Sequence, residues 1–141
     1  MTEFTAKEIE SAIGVKAEGK SVEKFSDITT DTRKITANSL FIALKGEKFN
    51  GEDFAAEAAS KGAAGVVVSK NFAGNVENAA IFKVPDTLKA YQQIAHSWRE
   101  KFNVPVIAIT GSNGKTTTKE LVASAISPLG DIHKTAANFN N

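Results

Sequence analysis

Cysteine is absent from the 141 residues, which excludes a disulfide scaffold and any thiolate metal site. Histidine occurs only at His96 and His133, far apart in the chain, and both read as ordinary surface or partly buried side chains. Neither sign of charge dominates: 17 Lys and Arg against 16 Asp and Glu leave a net +1. That balance carries no electrostatic footprint for nucleic acid or an anionic membrane. No apolar run approaches the roughly 20 residues needed to cross a bilayer. The N-terminus lacks the basic start and apolar core of a signal peptide. Internal repeats and low-complexity tracts are also missing. These absences lead to the expectation of a cytoplasmic protein without nucleic-acid or membrane partners.

What is present is the composition of a globular chain, 42% hydrophobic and 23% charged. The length suggests one domain, or one and a part. Thr5 and Glu8 form a capping box, with Phe4 and Ile9 placed for a hydrophobic staple. Ile9, Ala12 and Ile13 make the buried stripe of a first helix, and Gly14 stops it. Strands are expected at Val22 to Ile28, Leu40 to Leu44, Gly65 to Val68 and Ile81 to Val84. An Ala-rich helix is expected over Phe54 to Lys61, ended by Gly62. The segment from Asn71 to Asn78 reads as a polar loop. The longest helix is expected over 86–102, capped by Asp86, with Leu88, Tyr91, Ala95, Trp98 and Phe102 on its buried face. Asn103 and Pro105 mark a boundary. Alternating strands and helices define an α/β class.

The richest segment follows that boundary. Val104 to Ile109 is apolar and β-branched, and it runs into Thr110-Gly111-Ser112-Asn113-Gly114-Lys115-Thr116-Thr117-Thr118. Gly111 and Gly114 let the backbone turn tightly and aim several N–H groups at one anion. A helix beginning there, with Leu121, Val122, Ala125 and Ile126 on one face, adds its positive end. Lys115 supplies a mobile cation for the β- and γ-phosphates of a nucleotide, and the Thr116 hydroxyl suits Mg²⁺. The general phosphate-loop pattern requires glycine where Ile109 stands, so this is a narrower Thr-Gly-x-x-Gly-Lys-Thr-Thr variant. Pro128 is expected to end the helix, and Ile132 to Thr135 to begin another strand. A parallel sheet needs more strands than residues 103–141 hold. A truncated chain, part of a larger protein, or packing of this segment on the first hundred residues would each resolve that.

Ile28-Thr29-Thr30-Asp31-Thr32-Arg33 and Ser39-Leu40-Phe41-Ile42-Ala43-Leu44-Lys45-Gly46-Glu47-Lys48-Phe49-Asn50-Gly51 resemble the N-terminal domain of the Mur ligase family. Thr110 to Glu120 resembles that family's phosphate loop. The tail, Thr135-Ala136-Ala137-Asn138-Phe139-Asn140-Asn141, resembles the subtype that adds D-alanyl-D-alanine. The resemblance implies a small mixed-sheet domain over 1–102 that binds the UDP end of a substrate. It implies that 103–141 is the start of an ATP-binding central domain: its first strand, phosphate loop and helix.

The implied activity is ATP-dependent amide-bond formation in peptidoglycan precursor synthesis, and hence in cell-wall biogenesis, cell shape and division. Its substrates would be a UDP-N-acetylmuramoyl-peptide and D-alanyl-D-alanine, its cofactors ATP and Mg²⁺, its full-length form a monomer. Lys115 would be catalytic. Thr110, Gly111, Ser112, Asn113, Gly114, Lys115, Thr116 and Thr117 would hold ATP, with Thr116 on the metal. Thr30, Asp31, Thr32, Arg33, Gly46, Asn50, Asn138 and Asn141 would hold the UDP substrate. Asp31 and Arg33 equally suit a structural turn pair, and Asn138 and Asn141 a plain polar turn. The 141 residues alone are expected to be an inactive fragment. Other readings are a sister ligase adding a single amino acid, a polyglutamate-type synthetase, or a UDP-sugar or nucleotide-binding module without chemistry. A regulatory GTPase would need an Asn-Lys-x-Asp segment, which is not visible.

Overall fold

The computed structural model describes residues 3–46 and 49–135. Two compact units divide at Phe102 and Asn103. In the first, strand β1 (Phe4–Thr5) leads into helix α1 (Ala6–Ile13). The capping box forms as the sequence indicates: the Glu8 amide donates to Thr5 Oγ1 (3.2 Å) and the Thr5 amide to Glu8 Oε2 (2.8 Å). Gly14 closes α1, its amide donating to the Glu10 carbonyl at 2.8 Å.

Short strands β2 (Glu18–Gly19), β3 (Lys24–Phe25) and β4 (Ile28–Thr29) follow. The single strand expected from Val22 to Ile28 is therefore broken in two. β3 pairs antiparallel with β1 in a two-stranded sheet, whereas β4 joins the main sheet. Between them the Ser26 amide bonds the Asn38 carbonyl (3.0 Å), which turns the chain from one sheet to the other.

The main sheet adds β5 (Leu40–Ile42), β6 (Gly65–Ser69) and β7 (Ala80–Val84), in the order β2-β7-β6-β5-β4. Strands β4 to β7 run parallel, and β2 lies antiparallel on β7. Side-chain alternation sorts the core into two layers. Leu40, Ile42, Val67, Phe82 and Val84 face α1 and helix α3 (Thr87–Arg99), with Phe25 among them. Phe41, Val66 and Val68 face helix α2 (Ala55–Ser60). Gly65 admits the Phe25 ring: a Cβ there would stand 2.7 Å from Phe25 Cε1.

Helix α3 starts at the predicted cap, with the Lys89 amide donating to Asp86 Oδ1 (3.0 Å). Its buried stripe is not the expected one. Thr87, Ala90 and Ile94 are buried, whereas Leu88, Tyr91 and Phe102 are exposed by 51%, 38% and 46%. Ala95 is exposed as well. Small residues at 87 and 90 let α3 lie close to its neighbours, and the larger side chains are displaced to the next stripe. Trp98 remains as predicted against apolar partners, half-buried, its ring centroid 4.4 Å from Phe4 and 5.7 Å from Phe102.

Lys101 ties this corner together. Its ammonium sits 4.3 Å from the Trp98 ring centre and 2.6 Å from Glu8 Oε1. The Lys101 hydrogen bond first, and the Thr5 amide next, lower the Glu8 carboxyl from 4.5 to about 2. A carboxyl depressed on folding stabilises above its unfolded value, and that contribution disappears as pH falls from about 4.5 towards about 2. The pair is 37% and 40% exposed, so screening limits it to at most about 1 kcal/mol. Urea unfolding followed by Trp98 fluorescence at about pH 6 and about pH 3 tests this. Glu8→Gln is expected to lower stability more at the higher pH than at the lower, narrowing the gap between the two conditions.

In the second unit, helix α4 (Lys115–Ile126) forms where predicted and a single 3₁₀ turn, Ser127–Leu129, carries Pro128. Residues 104–109 and 132–135 join no ladder among the described residues, contrary to the strands expected there. Val104, Val106 and Ile107 are more than half exposed, as is Leu121 on α4. A strand exists only by pairing, and no other strand of this unit is described to pair with.

Candidate functional site

The loops that leave the carboxyl ends of parallel strands are where open α/β sheets bind ligands. In the first unit, the predicted UDP-site residues stand on two of these loops. Thr30, Asp31, Thr32 and Arg33 follow β4, and Gly46 and Asn50 follow its parallel neighbour β5. Asp31 caps a 3₁₀ turn at Thr32–Lys34, its Oδ1 accepting from the Arg33 amide at 2.9 Å. The Arg33 guanidinium also grips the same carboxylate, through Nε (2.9 Å to Oδ1) and Nη2 (2.7 Å to Oδ2).

Those hydrogen bonds hold the Asp31 carboxyl far below the usual carboxylate range and raise Arg33. Asp31 and Arg33 therefore form the turn pair that was one of their two readings. Asp31 is neutralised by Arg33, and the Lys61 ammonium, 3.5 Å from the Thr32 carbonyl, is itself paired with Glu57 at 2.6 Å, so the exposed Lys34 is the remaining charge of the turn. Thr30 is exposed and Thr32 half-buried.

The second loop is pinned by the backbone. The Gly46 amide donates to the Phe49 carbonyl (2.9 Å), Lys45 and Asn50 form an antiparallel bridge, and the Gly51 amide donates to the Leu44 carbonyl (2.9 Å). A Cβ on Gly51 would lie 2.5 Å from that carbonyl oxygen, so only glycine fits. The Asn50 carboxamide oxygen accepts from the Glu52 amide at 3.3 Å. Glu52 in turn accepts from the Ser69 amide at 2.6 Å, fastening the end of β6. Sequence reading passed over Glu52, whose partner is 17 residues away. Beside Asn50 opens a groove of about 390 Å³ lined by Glu52, Asp53, Asn71 and Phe72. Two carboxylates there make it the wrong charge for a diphosphate.

In the second unit, the loop before α4 has the backbone its sequence calls for. Gly111 (φ +146°) and Gly114 (φ +75°) occupy conformations that strain any L side chain. Gly114 is the N-cap, and no side chain caps the helix. The first helical ladder bond across the cap runs from the Thr118 amide to the Gly114 carbonyl at 2.8 Å. Gly114 thus brings no side-chain oxygen of its own to the helix N-terminus. Lys115 is half-buried and folds back, Nζ donating to the Gly111 carbonyl at 2.8 Å. The ammonium therefore stands over the loop.

Ser112 and Asn113 form the bend, and Thr110, Thr116 and Thr117 are exposed. A single Thr116 hydroxyl is a hard oxygen donor of the kind Mg²⁺ takes, and the site fits that ion as one protein ligand among waters and phosphates. No group of three or more His, Cys, Asp or Glu among the described residues could hold a metal ion by itself. Behind the loop, Lys119 donates to the Thr135 carbonyl (2.7 Å) and Glu120 pairs with Lys134, holding the returning chain on α4. Asn138 and Asn141 lie outside the described residues. His96 and His133 are exposed, His96 with Glu100 3.5 Å away. No helix among the described residues is long and apolar enough to cross a membrane.

A mainly parallel sheet with its loops gathered at the strand ends, and a glycine–lysine turn opening a helix, are the parts of an α/β nucleotide-binding architecture. The chain belongs to the Mur ligase family: residues 24–99 match the Mur ligase family catalytic domain and residues 109–141 the Mur ligase middle domain. It is 49% identical to the UDP-N-acetylmuramoyl-tripeptide–D-alanyl-D-alanine ligase of Synechocystis over 118 residues, 84% of this chain and 26% of that protein. A crystal structure of MurF from Acinetobacter baumannii matches all of this chain and 31% of its own, with 32% identity and a TM-score of 0.88. MurF ligase from Thermotoga maritima, crystallised in complex with ADP, matches 81% of this chain and 26% of its own (29% identity, TM-score 0.72). The chain thus spans about a quarter of the length of the curated relatives it matches.

Proposed function

We propose that these residues are the first domain and the opening of the second in an ATP-dependent ligase of peptidoglycan precursor synthesis. That ligase joins D-alanyl-D-alanine to a UDP-N-acetylmuramoyl-tripeptide in the cytoplasm, as a monomer. Residues 1–102 hold the UDP end of the substrate through Thr30, Asp31, Thr32, Arg33, Gly46 and Asn50, with Asn138 and Asn141 assigned to the same substrate. Residues 103–141 begin the ATP site. The observation that carries this reading is the loop of Gly111 to Lys115, with left-handed glycines, an uncapped helix start and an ammonium held above it. The kinship to D-alanyl-D-alanine ligases and to an ADP-bound structure supports the choice of nucleotide and reaction.

The chemistry suits such a loop. A carboxylate is a poor electrophile until it takes the γ-phosphoryl group of ATP and becomes an acyl phosphate. The dipeptide amine then attacks the acyl carbon, and inorganic phosphate leaves with the C–O electron pair. The loop amides of 111–116 and Lys115 neutralise charge on the transferring phosphoryl group. Mg²⁺, held in part by Thr116, would add further neutralisation when bound. Thr30, Thr32 and Asn50 offer neutral donors and acceptors to a uracil edge. Arg33, half committed to Asp31, retains N–H donors for a phosphate.

The test is a coupled phosphate-release assay with ATP, the UDP-linked tripeptide and D-alanyl-D-alanine. Turnover is expected from a ligase of the relatives' length carrying this segment, and none from the 141 residues alone. Turnover by the 141 residues would overturn the fragment reading. A longer protein that accepts a single amino acid and refuses the dipeptide would overturn the substrate assignment.

A further inference from the structure

We propose that Phe49 is a stacking platform for the planar base of a uridine nucleotide at the carboxyl ends of β4 and β5. This rests on the reading of that edge as the UDP site. Phe49 is 59% exposed. Its own carbonyl accepts from the Gly46 amide, and the next residue, Asn50, bridges Lys45. The ring lies against Gly46: a Cβ there would stand 2.8 Å from Phe49 Cε1, 3.1 Å from Cζ and 3.3 Å from Cδ1.

The absence of a side chain at 46 is what lets the ring rest in that place. Part of the ring covers the glycine and much of the remainder meets solvent. An aromatic ring on a loop whose backbone is bonded at Gly46 and Asn50 leaves less chain entropy to lose when it stacks a base. Asn50, the adjacent residue, brings a carboxamide to the same loop, and Thr30 and Thr32 stand on the loop of the neighbouring parallel strand. Stacking would supply affinity for the base, and these polar groups its edge recognition.

Calorimetric titration of the 141-residue chain carrying Lys115→Ala, which disables the phosphate loop and serves as the parent here, with UDP and separately with inorganic pyrophosphate, tests this. Phe49→Leu keeps an apolar side chain but removes the π-face, and UDP affinity is expected to fall roughly tenfold, with pyrophosphate binding unchanged. Phe49→Tyr is expected to bind UDP within about twofold of the parent. At Gly46→Ala the three nearest atoms are all of the Phe49 ring, so the ring is what must move, and circular dichroism is expected to show the fold retained. The substitution should weaken UDP binding in the parent and have no further effect beside Phe49→Leu. UDP binding by Phe49→Leu at the parent's affinity overturns the platform and leaves the UDP reading intact. A parent chain that binds pyrophosphate but not UDP overturns the UDP reading itself.

Discussion

Lys115→Ala is expected to abolish measurable ATP binding by this chain. The parent is expected to bind ATP weakly, with an affinity poorer than micromolar, because residues 103–141 provide only the phosphate side of a nucleotide site. Within that side, Lys115 supplies the one ammonium that folds over the loop, 2.8 Å from the Gly111 carbonyl. A charge-assisted hydrogen bond of this kind contributes roughly 1.5–3 kcal/mol, a loss of about tenfold to a hundredfold in affinity. Starting from a weak site, that loss carries binding out of calorimetric range. Lys115→Arg is not expected to restore it, because a planar fork does not replace a point charge on a flexible stem. Unchanged ATP affinity in Lys115→Ala would place the nucleotide elsewhere.

The second large effect is on stability. Phe82 on β7 is fully buried, its ring edge-on to Phe25 with centroids 6.1 Å apart. Phe82→Ala removes a ring from the layer that joins α1 and α3 to β5, β6 and β7. A truncation of this type costs about 3–5 kcal/mol, against a total of about 5–15 kcal/mol for a typical domain. The first unit of Phe82→Ala is therefore expected to be marginally folded or unfolded at room temperature. Trp98 is the only tryptophan and lies in this unit, so its fluorescence reports that loss directly. A urea midpoint within the error of the parent would mean that the Phe25–Phe82 layer is not the core.

Local chemistry was readable from the sequence where the partners are near in the chain. The Thr5–Glu8 capping box, the Asp86 cap and the glycines around Lys115 each involve residues within a few positions of one another, and each has the expected geometry. Asp31 and Arg33 were legible as a turn pair for the same reason. What failed depended on distant neighbours. The stripe of α3 was read from Leu88, Tyr91, Ala95, Trp98 and Phe102. The structure buries Thr87, Ala90 and Ile94, one position off that stripe, because the face turned to α1 and the sheet is set by tertiary packing. The break between β3 and β4 depends on which sheet each half joins, a matter of long-range pairing. Residues 104–109 have strand composition, yet composition without a described partner makes no ladder. Glu52 gave no sequence signal beyond its residue type, and Phe49 stood only within the Gly46 to Asn50 segment that the resemblance implies for the UDP pocket. The first acts on Ser69, and the second is notable only for lying over Gly46.

The central claim is that the backbone amides of residues 111–116 converge on one anion beside the Lys115 ammonium. Amide-resolved NMR of the ¹⁵N-labelled chain, titrated with ADP and with inorganic pyrophosphate, measures this most directly. The account predicts that the amides of Gly111 to Thr116 shift together, with the same midpoint for each, and that Lys115→Ala suppresses the response. Shifts confined to other residues, with those six amides unmoved at saturating ligand, would contradict it.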